Sequence, residues 1–138
     1  MTDRVLPVPD DTSRPYWQAC ARHELKLPRC ADCRAFTLPP DVTCPHCGSL
    51  EPRYSYEPVS GQGKIKTWTI VRHSYLKGFD LPYMLVDVQL DDHPSIRMIG
   101  QLKDGAEARV RIGDAVSVVF DDLVEGISVP AFKLGASQ

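Results

Sequence analysis

The chain has 138 residues and a mass of 15.4 kDa, enough for one ordinary domain or two very small ones. With 43% hydrophobic and 25% charged residues, it has the make-up of a folded globular protein rather than a disordered tail. Sixteen Lys and Arg against eighteen Asp and Glu leave a net charge of −2, the wrong sign for coating a phosphate backbone. The longest apolar runs, such as residues 83–86, are far too short to span a bilayer. The opening Met-Thr-Asp-Arg, followed by Pro7 and Pro9, holds no signal-peptide core, so a cytoplasmic location is expected.

Residues 1–27 begin as a Pro-rich arm and then read as a helix of twelve to fifteen residues. Thr12 or Ser13 supplies a cap, Pro15 suits the first turn, and Pro28 stops the segment. Tyr16, Trp17 and Cys20 lie within three or four positions of one another, on one side of that helix. So short a helix is marginal alone and must pack on something. Tyr16 and Trp17 face either the body of the protein or the groove of a partner. Cys20 reads as a buried, inert thiol.

Residues 28–57 contain two knuckles, Cys30-Ala-Asp-Cys33 and Cys44-Pro-His-Cys47, separated by ten residues. In a reducing compartment this spacing reads as a four-thiolate zinc site, or iron in the same cage, rather than as disulfides. Four sulfur ligands complete a tetrahedron and leave no position open for water or substrate, so the metal is expected to be structural. Its task is to fold about thirty residues whose large apolar side chains are Phe36, Leu38 and Leu50. Four thiolates and one divalent ion would carry the net charge from −2 to −4. His46 reads as an exposed knuckle residue.

Residues 58–138 read as antiparallel β with a short C-terminal tail. Residues 64–71 are rich in β-branched and aromatic types. Met84, Val86, Val88 and Leu90 then alternate with Asp87, Gln89 and Asp91, and residues 91–94 make a turn. Ile96, Met98 and Leu102 mark a third strand with a bend or bulge at Gly100. Val116, Val118 and Phe120 mark a fourth, and residues 127–134 a fifth. Five strands without a long helix suit a small closed barrel of the OB type. Trp68, Tyr83 and Phe120 lie in these strands, where core packing accounts for them. The loop 74–82 holds Tyr75, Leu76, Phe79 and Leu81, too apolar for an idle connection. It either folds over the barrel mouth or forms a docking surface or channel wall.

Catalytic signatures are missing: the sequence has no Gly-x-Ser-x-Gly elbow, P-loop or dinucleotide fingerprint. His23, His46, His73 and His93 stand singly, and the paired aspartates fall in expected turns. Ribbons and OB barrels can both bind nucleic acid, but residues 28–57 carry three basic against four acidic side chains. Residues 58–134 carry nine against ten, so neither stretch is basic. Arg29 and Arg34 beside the first knuckle, with Lys64 and Lys66, read as solvated surface or as a fork for the phosphates of a nucleotide.

The order of these parts resembles the zinc-ribbon OB-fold proteins associated with acyl-CoA metabolism, long catalogued as a family of unknown function. The resemblance rests on Pro15-Tyr-Trp17, residues 27–30, Cys33, residues 38–40, residues 44–49, residues 60–63, residues 81–83, residues 86–91, Ile112-Gly113 and residues 130–132. Arg34 and Asp41 stand where that family commonly has glycine and arginine. The resemblance implies a mainly β chain: an N-terminal helical arm (1–27), a four-cysteine rubredoxin-like zinc ribbon (28–57) and a five-stranded OB-fold barrel (58–138). It further implies a noncatalytic subunit with one structural zinc on Cys30, Cys33, Cys44 and Cys47. Such a subunit joins a thiolase-like catalytic subunit in a hetero-oligomer and helps frame the channel for an acyl-CoA ester. Carbon–carbon chemistry of the thiolase, acyltransferase or steroid side-chain aldolase kind would follow. Candidate contacts to partner or acyl-CoA are Tyr16, Trp17, Phe79, Leu81, Tyr83, Arg29 and Arg34. The competing readings are a nucleic-acid-binding module and a stand-alone acyl-CoA-binding protein.

Overall fold

The computed structural model describes residues 3–135. Five strands form one antiparallel sheet in the order β5-β4-β3-β6-β7. Its members are β3 (Gln62–Val71), β4 (Tyr83–Leu90), β5 (Arg97–Gln101), β6 (Ala115–Val124) and β7 (Ile127–Leu134). The alternation read in β4 is obeyed: Met84, Val86, Val88 and Leu90 are buried, while their neighbours are half-buried. β3 carries a bulge between Ile65 and Thr67, which sharpens its twist and turns its second half away from β6. The sheet curls far enough for its outer strands to meet at a parallel bridge between Leu102 and Phe132. The Lys103 N–H donates to the Phe132 carbonyl at 2.8 Å. This is the closure of an OB barrel.

Phe132 is fully buried at that closure, with Ile65, Met84, Val86, Val88, Leu102 and Val116 around it. Gly100 was expected to bend or bulge β5, but it pairs in regular register with Val86. Its role is to make room. A side chain there would place its Cβ 3.0 Å from the Phe132 ring. Trp68 also departs from expectation: it is 38% exposed, on the part of β3 beyond the bulge, and is not a core residue.

The helix α1 (Arg14–Ala21) is eight residues long, shorter than the twelve to fifteen expected. Neither Thr12 nor Ser13 caps it through a side chain in the expected way. Instead Asp10 and Ser13 bond reciprocally across the preceding turn, the Ser13 N–H donating to the Asp10 carboxylate at 2.7 Å. The helix stops because His23 adopts the left-handed conformation, with φ of 59°. The N–H of Glu24 reaches back to the Ala19 carbonyl and that of His23 to Cys20, closing a Schellman turn. His23 takes the position that glycine usually fills, and its ring is held by Asp122 at 2.7 Å and stacked on Phe120.

Pro28 does not end a helix. It lies within β1 (Lys26–Arg29), which pairs antiparallel with β2 (Ser55–Pro58). The expected boundaries at 27/28 and 57/58 thus fall inside these two paired strands. Leu25 and Leu27, one before and one within β1, are buried in the barrel core, and Phe36 and Leu38 pack against it. Leu50 is 79% exposed and takes no part.

Replacing Phe132 by Ala should cost about 3–5 kcal/mol of folding stability, since the barrel closure cannot collapse into the space left. Denaturant unfolding of Phe132→Ala beside the parent chain measures this. A substitution at exposed Leu50 should leave the midpoint unchanged.

Candidate functional site

The knuckles place four sulfurs together. The Sγ atoms of Cys30, Cys33, Cys44 and Cys47 all lie within 4.8 Å of one another. Cys30 and Cys47 are 3.9 Å apart and Cys33 and Cys44 are 3.8 Å apart. A tetrahedron with Zn–S bonds of ~2.3 Å has edges of about 3.8 Å, whereas a disulfide needs about 2.05 Å. The donor set therefore fits one zinc ion with every position filled by sulfur.

Each knuckle is a turn that folds back on its first cysteine. The N–H of Arg34 donates to the Cys30 carbonyl and that of Gly48 to the Cys44 carbonyl, both at 2.9 Å. Both turning residues are left-handed, Arg34 at 65° and Gly48 at 76°. Glycine does this without strain and arginine does not, which accounts physically for a preference for glycine at position 34. Desolvation opposes ionisation of the Cys44 thiol. Hydrogen bonds from the N–H groups of Cys47 and His46, with the neighbouring thiols, outweigh it and lower the group to about 7. Behind the cage the Ser49 hydroxyl donates to Asp32 at 2.5 Å, and Arg53 reaches the same carboxylate at 3.4 Å. His46 is exposed, and the metal-sized cluster among the described residues does not include it.

Arg29 and Arg34 are both engaged by Glu57, at 3.2 and 3.5 Å. Arg29 also lies 5.0 Å from the centre of the Phe36 ring, and its Nε donates to the Arg34 carbonyl. Hydrogen bonds from Ser55 and then Arg29 hold the Glu57 carboxyl below its usual range. These arginines fasten the first knuckle to β2.

The aromatic candidates converge. Tyr16 and Trp17, from α1, stand edge to face at 4.9 Å. Phe79 and Tyr83 stack at 5.3 Å, with the Arg4 guanidinium 4.6 Å from the Phe79 ring centre. All four line one groove of about 390 Å³ between the edge of β5 and β7. A second groove of about 440 Å³, lined by Leu38, Pro39, Pro40 and Ile99, shares Tyr16 and Trp17 with it. Tyr16 also packs against the barrel core, while Leu81 is 43% exposed outside both grooves. Ile99, 71% exposed at the junction of the grooves, was not singled out from sequence. Its signal was an aliphatic residue on the outward phase of β5.

Cys20 is fully buried, and burial pushes its thiol up to about 12, the reverse of an activated nucleophile. His23 is held by Asp122, and His93 lies 4.3 Å from Phe36. No helix among the described residues is long and apolar enough to cross a membrane.

A closed four-thiolate ribbon set against an OB barrel defines a two-module zinc protein whose metal supports the fold. Residues 17–53 match the family described as the ChsH2 rubredoxin-like zinc ribbon domain, and residues 56–121 the ChsH2 C-terminal OB-fold domain. The chain belongs to this ChsH2-type zinc-ribbon OB-fold family. It is 25% identical over 123 residues to a "Probable enoyl-CoA hydratase alpha subunit" of Thermomonospora curvata, covering 89% of this chain and 37% of that protein. It is 37% identical over 85 residues to a "DUF35 domain-containing scaffold protein" of Pyrococcus furiosus, covering 59% of this chain and 58% of the other. The chain thus spans less than two thirds of these relatives. Among solved structures it resembles a chain of the "Ltp2-ChsH2(DUF35) aldolase", with a TM-score of 0.80 and 24% identity. That match covers 93% of this chain and 98% of the other.

Elemental analysis should give about one zinc per chain, and Cys44→Ser should abolish it. Chelation should disorder residues 30–54 while leaving the barrel amides protected in hydrogen exchange, because the barrel has its own apolar core.

Proposed function

We propose that this chain is a noncatalytic, zinc-stabilised subunit of a hetero-oligomer. It binds a thiolase-like enzyme and helps frame the channel by which an acyl-CoA ester reaches that enzyme. The chemistry belongs to the partner: making or breaking a carbon–carbon bond, as a thiolase, an acyltransferase or a steroid side-chain aldolase. The observation that carries this reading is the meeting of Tyr16 and Trp17 with Phe79 and Tyr83 on one apolar groove. Large aromatics gathered at a part-open surface are the usual anchors of a protein interface.

The chain's own groups suit a supporting role. Four cysteines form the closed metal cage and the fifth is buried with a raised pKa. Arg29 and Arg34 are engaged by Glu57, so contact with the acyl-CoA ester is assigned to the groove rather than to these two guanidinium groups. The relatives' printed roles, a scaffold and an alpha subunit, favour the same reading. The hydratase named in one of them belongs to a protein of which this chain matches 37%.

The isolated chain should show no thiolase, aldolase or hydratase turnover on CoA esters. Purified from its native host, it should bring with it a thiolase-like enzyme. Trp17→Ala or Phe79→Ala should weaken that association by ~2 kcal/mol, roughly thirtyfold, at unchanged zinc content. Turnover by a preparation proven free of any larger subunit would refute the assignment. Lowered melting temperature with unaltered partner affinity would move the contact elsewhere on the surface.

A further inference from the structure

The two outer strands of the barrel meet at Leu102 and Phe132 and then diverge, and their facing edges differ in chemistry. On β5, hydrogen bonding with β4 joins Leu102 to Met84 and Ile96 to Leu90. In an antiparallel pair such bonds fall on alternate residues, so Met98 and Gly100 also bond to β4. The N–H and C=O groups of Arg97, Ile99 and Gln101 consequently point away from the sheet. Gln101 sits at the closure, where the Leu102–Phe132 bridge directs its carbonyl to the Phe132 N–H. For Arg97 and Ile99, β4 is the one sheet neighbour of β5 among the described residues, and it lies on their other side.

The facing edge of β7 is closed off. The bond from the Gly135 N–H to Ala115 sets the alternation, so Ser128, Pro130, Phe132 and Leu134 face outward. The Phe132 carbonyl accepts from Lys103, and the Leu134 N–H donates to the Asp104 carboxylate at 2.8 Å. Pro130 has no N–H to offer. Past this closure the two strands part, and Arg97 and Ile99 leave β5 an open row of two donors and two acceptors.

We infer that this edge of β5 takes an extended segment of the partner protein as an added strand. The inference rests on the accessory-subunit reading and names how the partner is held. An unpaired ladder is satisfied best by another extended backbone, whose alternate side chains need space on either side. The two grooves supply space along β5, one beside residues 97–99 and the other beside residues 98–101, both bordered by Trp17 and Ile99. The added segment is thus an extended stretch with apolar side chains at alternate positions. The other half-open edge, beyond the β3 bulge, displays Lys66, a charge of the kind that discourages edge pairing, beside Thr67, Trp68 and Thr69.

Ile99→Pro tests this with little risk to the fold, since the N–H it removes faces outward and not toward β4. With the co-purified thiolase-like enzyme as the probe, Ile99→Pro should lower affinity about tenfold or more, while Ile99→Val should bind as the parent does. In hydrogen exchange of the parent chain, the amides of Arg97 and Ile99 should exchange freely alone and become protected in the complex. Those of Met98 and Gly100 should be protected in both. A complex that forms with Arg97 and Ile99 still exchanging freely overturns strand addition and leaves the accessory role intact. Failure of the parent chain to bind any thiolase-like enzyme overturns both. Should Ile99→Pro unfold, shown by a large fall in melting temperature, the exchange pattern of the parent decides alone.

Discussion

The contact between the Phe132 ring and the bare backbone of Gly100 sets the geometry of the barrel. A Cβ at position 100 would sit 3.0 Å from the ring, so the bare backbone lets β5 approach it, and Leu102 bridge to β7, without pushing the ring aside. That approach buries Phe132 and brings the outer strands together at one end of the sheet. Because Pro130 follows the same edge a short way back, they part again at once. The opening is where α1 lies, with Tyr16 against the core and Trp17 at the rim. Closure at one point and divergence beside it place the aromatic cluster at an accessible seam rather than inside a sealed barrel.

The metal acts at a different level. The segment between β1 and β2 has few apolar side chains, and two of them, Phe36 and Leu38, serve the barrel rather than the ribbon. Little is left to fold the remainder except the four Zn–S bonds. The ion pairs of Glu57 with Arg29 and Arg34 are partly exposed and add modestly to this. The consequence is a division of labour, in which hydrophobic burial determines the barrel and metal coordination determines the ribbon.

Much of this was legible because the signals were local. The period of two in Met84, Val86, Val88 and Leu90 can mean only one phase of a strand, and Cys-x-x-Cys pairs bring their own geometry. What was missed depended on distant partners. Position 28 reads as a helix stop because proline breaks helices, yet Leu25 and Leu27 flanking Lys26 already alternate as a strand does. Tyr56 on β2, bonded to the Thr12 carbonyl, supplies a long-range tie that no local pattern reveals. Gly100 fits a bulge as well as a close approach until Phe132 is seen against it. Trp68 reads as core from its strand alone; it pairs with buried Val86, yet it lies beyond the stretch of β3 that pairs with β6 and remains 38% exposed. The convergence of Tyr16, Trp17, Phe79 and Tyr83 depends on barrel curvature, and Arg34 could be seen as unusual without its φ being known.

The pairing of β1 with β2 fastens the ribbon at its base as the metal fastens it at its tip. Residues 34–43 form a bight between two independent fastenings, and a backbone cut within it severs neither. On one side Leu25 and Leu27 remain embedded in the barrel, and on the other β2 leads directly into β3. A nicked chain would therefore migrate as a single body under native conditions, with its two pieces parting only when the protein is unfolded.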